Sequence, residues 1–166
     1  MDIAVRRSLD KHGISTHFRA FAETEPQCLK VLEHHYPGVE NVGDITKVDD
    51  WTPYSADIIT AGFPCQPFSV AGKRLGVSDE RYIWPSIEQA IRDIRPGYVF
   101  LENVKGFRSS GFEAVATSLA THGYDIRWHS NRAADIGAPH RRERVFIIAR
   151  PVPDSDSLGR ERGEGA

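Results

Sequence analysis

Residues 56–61 read ADIITA and run directly into Gly62-Phe63-Pro64-Cys65-Gln66. A nearly continuous apolar run of this length suits a strand covered on both faces, as in a parallel sheet. A second run of the same kind, YVFL at 98–101, leads directly into Glu102-Asn103. One loop and one helix separate the two, and such a crossover suits neighbouring parallel strands. Ligands of open α/β sheets bind beyond the carboxyl ends of the strands. The thiol of Cys65 and the carboxyl of Glu102 are therefore expected at one rim.

Outward from this pair, the chain alternates helix and strand. Residues 2–12 read as a helix closed by Gly13, 17–22 as a short strand, and Pro26 opens a helix that Pro37-Gly38 ends. A long loop spans 62–80. The spacing of Ile83, Ile87, Ile91 and Ile94 predicts a helix over 85–94, and 112–122 reads as another closed by Gly123. Strands are expected at 124–130 and 144–149. With no helix between them, these last two are expected to form an antiparallel hairpin at the sheet edge. The order implies α/β architecture with a doubly wound, mostly parallel sheet over residues 1–150. The remainder, 151–166, offers little to bury and reads as a disordered tail.

Composition narrows the function. The 166 residues hold two cysteines, Cys28 and Cys65, with no C-x-x-C pair, which argues against a disulfide framework or a thiolate zinc site. No apolar run reaches the ~20 residues of a membrane span, and residues 1–13 lack a secretory apolar core, so a cytoplasmic location is expected. A formal charge of −2 gives no global sign of nucleic-acid binding, although a local basic face can still exist.

A lone cysteine is most often a small buried apolar residue. Cys28, beside Leu29 and Leu32, fits that description. Cys65, flanked by Pro64, Gln66 and Pro67, suits a stiff exposed loop and is the candidate nucleophile. Glu102 could be an ordinary strand-end carboxylate; its position beside a nucleophile makes it a candidate partner. The run Arg141-Arg142-Glu143-Arg144 could be a solvated turn. Strand alternation would instead put Arg142 and Arg144 on one face, where two guanidinium groups could hold a phosphate or a base carbonyl. Lys73, Arg74, Lys105 and Arg108 add positive charge near the same rim.

Together these segments resemble DNA (cytosine-5)-methyltransferases. AGFPCQPFSVAGKRLG resembles the family's nucleophile motif, FLENVKGF its Glu-Asn-Val motif, and HRRERVFIIA its Gln-x-Arg-x-Arg motif. The resemblance implies the S-adenosylmethionine-dependent, Rossmann-like methyltransferase fold. It also implies methyl transfer from S-adenosylmethionine to carbon 5 of a cytosine flipped out of DNA. Cys65 would add to carbon 6, Glu102 would bind ring nitrogen 3 and the exocyclic amine, Arg144 the base carbonyl, and Arg142 the Cys65 region and a phosphate. By the same resemblance Glu23 would bind the cofactor ribose, Asp44 and Ile45 the adenine, and Pro64 the region of the methyl group. Residues 69–80, with Gly72 and Gly76, would form the mobile cover.

The family's opening strand with its Phe-x-Gly-x-Gly loop has no counterpart here, and neither do its target-recognition region and last motifs. The expectation is thus a fold incomplete at both ends, with a complementing polypeptide as a candidate partner besides DNA. Two alternatives stay open: an inactive remnant that binds DNA or protein, and an RNA-directed relative.

Overall fold

In a computed structural model the described residues are 2–64 and 83–153. Cys65, the expected cover at 69–80 with Lys73 and Arg74, and the tail from residue 154 onward lie outside them.

Helix α1 (Asp2–Lys11) is followed by strand β1 (Ala20–Phe21), helix α2 (Pro26–His35) and strand β2 (Glu40–Asn41). β1 and β2 pair in parallel as a two-stranded sheet. Strand β3 (Ile58–Gly62), helix α3 (Trp84–Ile94), strand β4 (Tyr98–Val104), helices α4 (Phe107–Ser110) and α5 (Phe112–Thr121), and strands β5 (Tyr124–Arg132) and β6 (Glu143–Pro151) are the other α-helices and strands of the described residues. The larger sheet has the order β3-β4-β6-β5.

β3 and β4 are parallel, as the crossover predicted, with Gly62 opposite Glu102. β6 pairs antiparallel with both β4 and β5, so the large sheet is mixed. The β5–β6 hairpin forms as expected, but only β5 lies at the edge, because β6 inserts beside β4. The apolar alternation of β6, with Val145, Ile147 and Ala149 all buried, suits that interior place.

One face of this sheet carries the core. Val99, Leu101, Val145, Ile147 and Ala149 point to α3 and α5, where Ile87, Ile91, Val115 and Leu119 meet them. The sequence dictates α3 well: Pro85 sits in its first turn, the isoleucines recur on one side, and Arg95 adopts a left-handed φ of 54° just before Pro96. Gly123, at φ 81°, makes the reversal from α5 into β5. Apolar area removed from water contributes about 25 cal/mol per Å2, and α3 and α5 carry six of the fifteen buried hydrophobic residues among those described.

The N-terminal unit is packed more thinly. Phe18, Phe21 and Tyr36 form a ring cluster with centroids 4.5–5.4 Å apart, yet α2 has no fully buried residue. Cys28 is exposed rather than part of a core. In α2 only Leu29 and Leu32 are half-buried, a narrow apolar stripe. The strand expected at 17–22 shortens to two residues for the same reason: it has one short partner. No helix among the described residues is long and apolar enough to cross a membrane.

Candidate active site

β4 runs three residues further than the apolar run suggested, so Glu102 lies within the strand and not beyond it. Strand alternation sends Phe100, Glu102 and Val104 to the face opposite the core, and Leu101 and Asn103 into it. Register places Val104 opposite Arg144 and Glu102 opposite Phe146, so Arg144 and Glu102 share the open face diagonally. Their side chains meet, Arg144 Nε standing 3.3 Å from Glu102 Oε1. Both are partly screened from water, at 23% and 29% exposure, which favours a persistent pair over a loose surface one.

Glu102 Oε2 looks toward β3. A Cβ built on Gly62 would lie 4.0 Å from that oxygen, so the glycine leaves the space beside the carboxylate open. From Gly62 the chain continues through Phe63 and Pro64 to Cys65. Phe63 is buried against Trp84 and Phe107, with centroids 5.7 Å away in each case. This anchors the exit of β3 beside Glu102; the position of the Cys65 thiol itself falls outside the described residues.

Asn103 adds an element that the residue-by-residue reading missed. It is the one buried polar residue among those described, at 6% exposure. Its Nδ2 donates to the Phe63 carbonyl at 3.0 Å, and its Oδ1 accepts from Val104 N–H at 2.8 Å. The segment two residues before Cys65 is thereby fastened to the strand that carries Glu102. The signal was present in the sequence, since an asparagine at an inward position of an apolar strand must find partners.

The arginine run divides as alternation requires. Arg144 joins Glu102, whereas Glu143 faces the other way and accepts from Ser130 Oγ at 2.8 Å and pairs with Lys105 Nζ at 3.2 Å. These partners hold the Glu143 carboxyl below its ordinary value, the Ser130 hydroxyl foremost. Arg144 Nη1 also donates to the Glu143 carbonyl at 3.0 Å. Arg142 stands exposed just before β6, and its carbonyl accepts from Ala133 N–H at 2.8 Å. Val104, Lys105, Arg132, Arg141, Glu143 and Arg144 line a cleft of about 470 Å3 at this rim.

The residues assigned to a cofactor lie on other segments. Glu23 follows β1 and Asp44 follows β2, so both carboxylates lie beyond the carboxyl ends of parallel strands. Asn41 links the two loops, its side chain exchanging bonds of 3.0 Å with both backbone groups of Glu23. Glu23 Oε1 accepts from Thr24 and Glu25 N–H at 2.8 Å, and these two bonds fix the carboxylate. Asp44 Oδ1 caps the following turn through Thr46 N–H and hydroxyl, which lowers its pKa. Ile45 packs against the main core, and Pro64 lies exposed just after β3. Among the described residues no cluster of His, Cys, Asp and Glu could hold a metal ion.

The described sheet is mixed, and a carboxylate and an arginine meet on its open face beside the exit of β3. Residues 4–154 match the C-5 cytosine-specific DNA methylase family, and the chain belongs to it. The type II methyltransferase M.HhaI of Haemophilus parahaemolyticus is 38% identical over 131 residues, covering 76% of this chain and 40% of its own. M.NgoBI of Neisseria gonorrhoeae is 34% identical over 149 residues, covering 87% of this chain and 46% of its own. The chain therefore spans less than half the length of these curated relatives. Among solved structures, the S. pombe Dnmt2 methyltransferase superposes with a TM-score of 0.74 at 22% identity, over 98% of this chain and 53% of that one. That likeness supports the fold.

Proposed function

We propose that this chain carries the catalytic face of an enzyme that methylates carbon 5 of cytosine in DNA through a covalent adduct on Cys65. The observation that carries the reading is the Glu102–Arg144 pair at 3.3 Å, set beside the strand exit that leads to Cys65. Carbon 5 of cytosine is too weak a nucleophile to attack a methyl sulfonium unaided. Addition of the Cys65 thiolate to carbon 6 makes a C–S bond and pushes an electron pair toward nitrogen 3, leaving an enamine reactive at carbon 5. Glu102 accepts from the exocyclic amine and donates a proton to nitrogen 3 as that charge develops. Arg144, tied to Glu102, holds the base carbonyl, and Arg142 supports the nucleophile loop and a phosphate. Once carbon 5 has taken the methyl group, its proton passes to solvent water, the pair of that C–H bond re-forms the ring double bond, and Cys65 leaves as thiolate.

A thiol has an ordinary pKa of ~8.5, so cations and loop amides around Cys65 must favour the thiolate. The geometry requires a base withdrawn from the stack, at a cost of a few kcal/mol. S-adenosylmethionine supplies the methyl group when bound. The residues present fit its nucleoside part: Glu23 and Asp44 offer fixed carboxylates beyond two adjacent strands, and Ile45 offers an apolar contact. Pro64 would line the methyl side.

A second reading is favoured by the sheet itself, whose strands among the described residues divide into β1-β2 and β3-β4-β6-β5. Parallel strands left without a partner expose a row of hydrogen-bonding groups. We therefore also propose that a complementing polypeptide segment completes the cofactor half, and that the chain without it acts as a binding module.

Incubation with DNA and S-adenosylmethionine labelled in the methyl group, followed by digestion to nucleosides, tests the main reading. Label in 5-methylcytosine, lost in Glu102→Gln, is expected. Label appearing only with an RNA substrate, or none with DNA, would overturn the assignment.

A further inference from the structure

Arg132, at the end of the edge strand β5, lines the cleft at the rim. On β5, Trp128, Ser130 and Arg132 project to one face, that of Glu143, by strand alternation and by the Ser130–Glu143 bond of 2.8 Å. Trp128 and Arg132 lie four residue steps apart along the strand, about 14 Å. Trp128 is 45% exposed, and Phe112 stands edge-on to it at 5.3 Å. The Arg108 guanidinium lies 4.8 Å over its ring. Beside this platform, Lys105 and Arg132 reach solvent at 71% and 59% exposure. On this side Lys105, Arg108, Arg132 and Arg141 accompany Glu113, Asp135 and Glu143.

We propose that this face of β5 and the β4–α4 turn seat a nucleic-acid strand outside the catalytic pocket, with phosphates on Lys105, Arg132 and Arg141 and a base stacked against Trp128. The proposal rests on the nucleic-acid substrate of the preceding section and names a second binding surface for it. An exposed aromatic ring gives a stacking plane for any base, and flanking cations track the backbone without reading sequence. The pairs Lys105–Glu143 and Arg132–Asp135, at 3.2 Å each, are exposed on the cation side and weak. A phosphate can share those cations.

The tryptophans make the proposal measurable. Trp51 and Trp84 are buried, so quenching by a stacked base reports Trp128. The full chain is titrated with a short, cytosine-free single strand at several salt concentrations, with anisotropy of a labelled strand read in parallel. Saturable quenching is expected, absent in Trp128→Leu. Lys105→Ala/Arg132→Ala is expected to weaken binding. Its slope of log K against log salt should be shallower by about 1.4, since each phosphate of a single strand that is no longer neutralised removes ~0.7. Circular dichroism confirms that both variants keep the fold. Binding by anisotropy with an unquenched tryptophan and an unchanged slope would overturn the surface, as would no binding at low salt. Because the strand lacks cytosine, quenching without formation of 5-methylcytosine on DNA would keep this surface and discard the methylation reading.

Discussion

Asn103→Ala removes two bonds at once, from Nδ2 to the Phe63 carbonyl and from Val104 N–H to Oδ1. Each neutral bond contributes about 0.5–1.5 kcal/mol, and a buried carbonyl left without a donor costs about 1–3 kcal/mol. The sum is a destabilisation of roughly 2–6 kcal/mol. For a domain of this size that lowers the melting temperature by roughly 5–25 °C. The consequence for chemistry is separate. Phe63 precedes Cys65 by two residues, and releasing its carbonyl lets the nucleophile segment drift; a displacement near 1 Å can cost about a hundredfold in rate. Urea unfolding followed by circular dichroism gives the first quantity, and the rate of covalent capture of a mechanism-based DNA gives the second. Phe63→Ala serves as the comparison, since it removes ring packing on Trp84 and Phe107 and leaves the backbone carbonyl bonded. It should cost about 3–5 kcal/mol with a smaller rate loss per unit of stability. An Asn103→Ala protein that loses under about 1 kcal/mol and captures DNA at the parental rate would refute the fastening role.

Further expectations follow from single interactions. Glu102→Gln keeps the shape but not the acid, and methyl transfer should fall by about 10²–10⁴; Arg144→Ala should weaken base binding, read as a raised KM with a smaller change in kcat. Glu143 has its pKa held below 4.5 by Ser130 and Lys105, so the carboxylate stabilises the fold above that value and loses its contribution as pH falls through the lowered one. The acid limb of stability against pH should therefore be shallower in Glu143→Gln, measured by urea midpoints between neutral pH and pH ~3. Tyr124 is shifted the other way, its pKa raised by burial against a smaller opposing effect of Arg95. Burial disfavours its phenolate, so stability should fall as pH rises above the ordinary tyrosine value toward the raised one, an effect absent in Tyr124→Phe. Ile91→Ala, at a fully buried position between α3 and the sheet, should cost about 2–5 kcal/mol.

Much of the fold could be read from the chain because local signals and packing agree in its second half. The isoleucines of α3, the apolar runs of β3 and β4, and the glycine after α5 each specify one conformation, and the core needs all of them. The strand order was less legible. The alternation in residues 143–151 suits an interior strand without saying which neighbours flank it; the place of β6 between β4 and β5 follows from long-range pairing with Val99 through Val104. Likewise Cys28 sits at a helical position compatible with a core, and only the thinness of the β1-β2 layer leaves it exposed. At the site, Glu102 and Arg144 were legible individually and their pairing followed from register. The fastening role of Asn103 emerges only when the fold brings the Phe63 carbonyl within 3.0 Å of its side chain.

The most direct measurement of the central claim is covalent trapping. DNA containing 5-fluorocytosine is mixed with the protein and S-adenosylmethionine, and the product is digested and mapped by mass spectrometry. Fluorine at carbon 5 blocks the final loss of a proton, so the Cys65–carbon-6 bond should persist. The account predicts a methylated nucleotide on the peptide that contains Cys65, and none in Cys65→Ser. An adduct that survives Cys65→Ser, or no adduct from a folded protein that binds both DNA and S-adenosylmethionine, would contradict it.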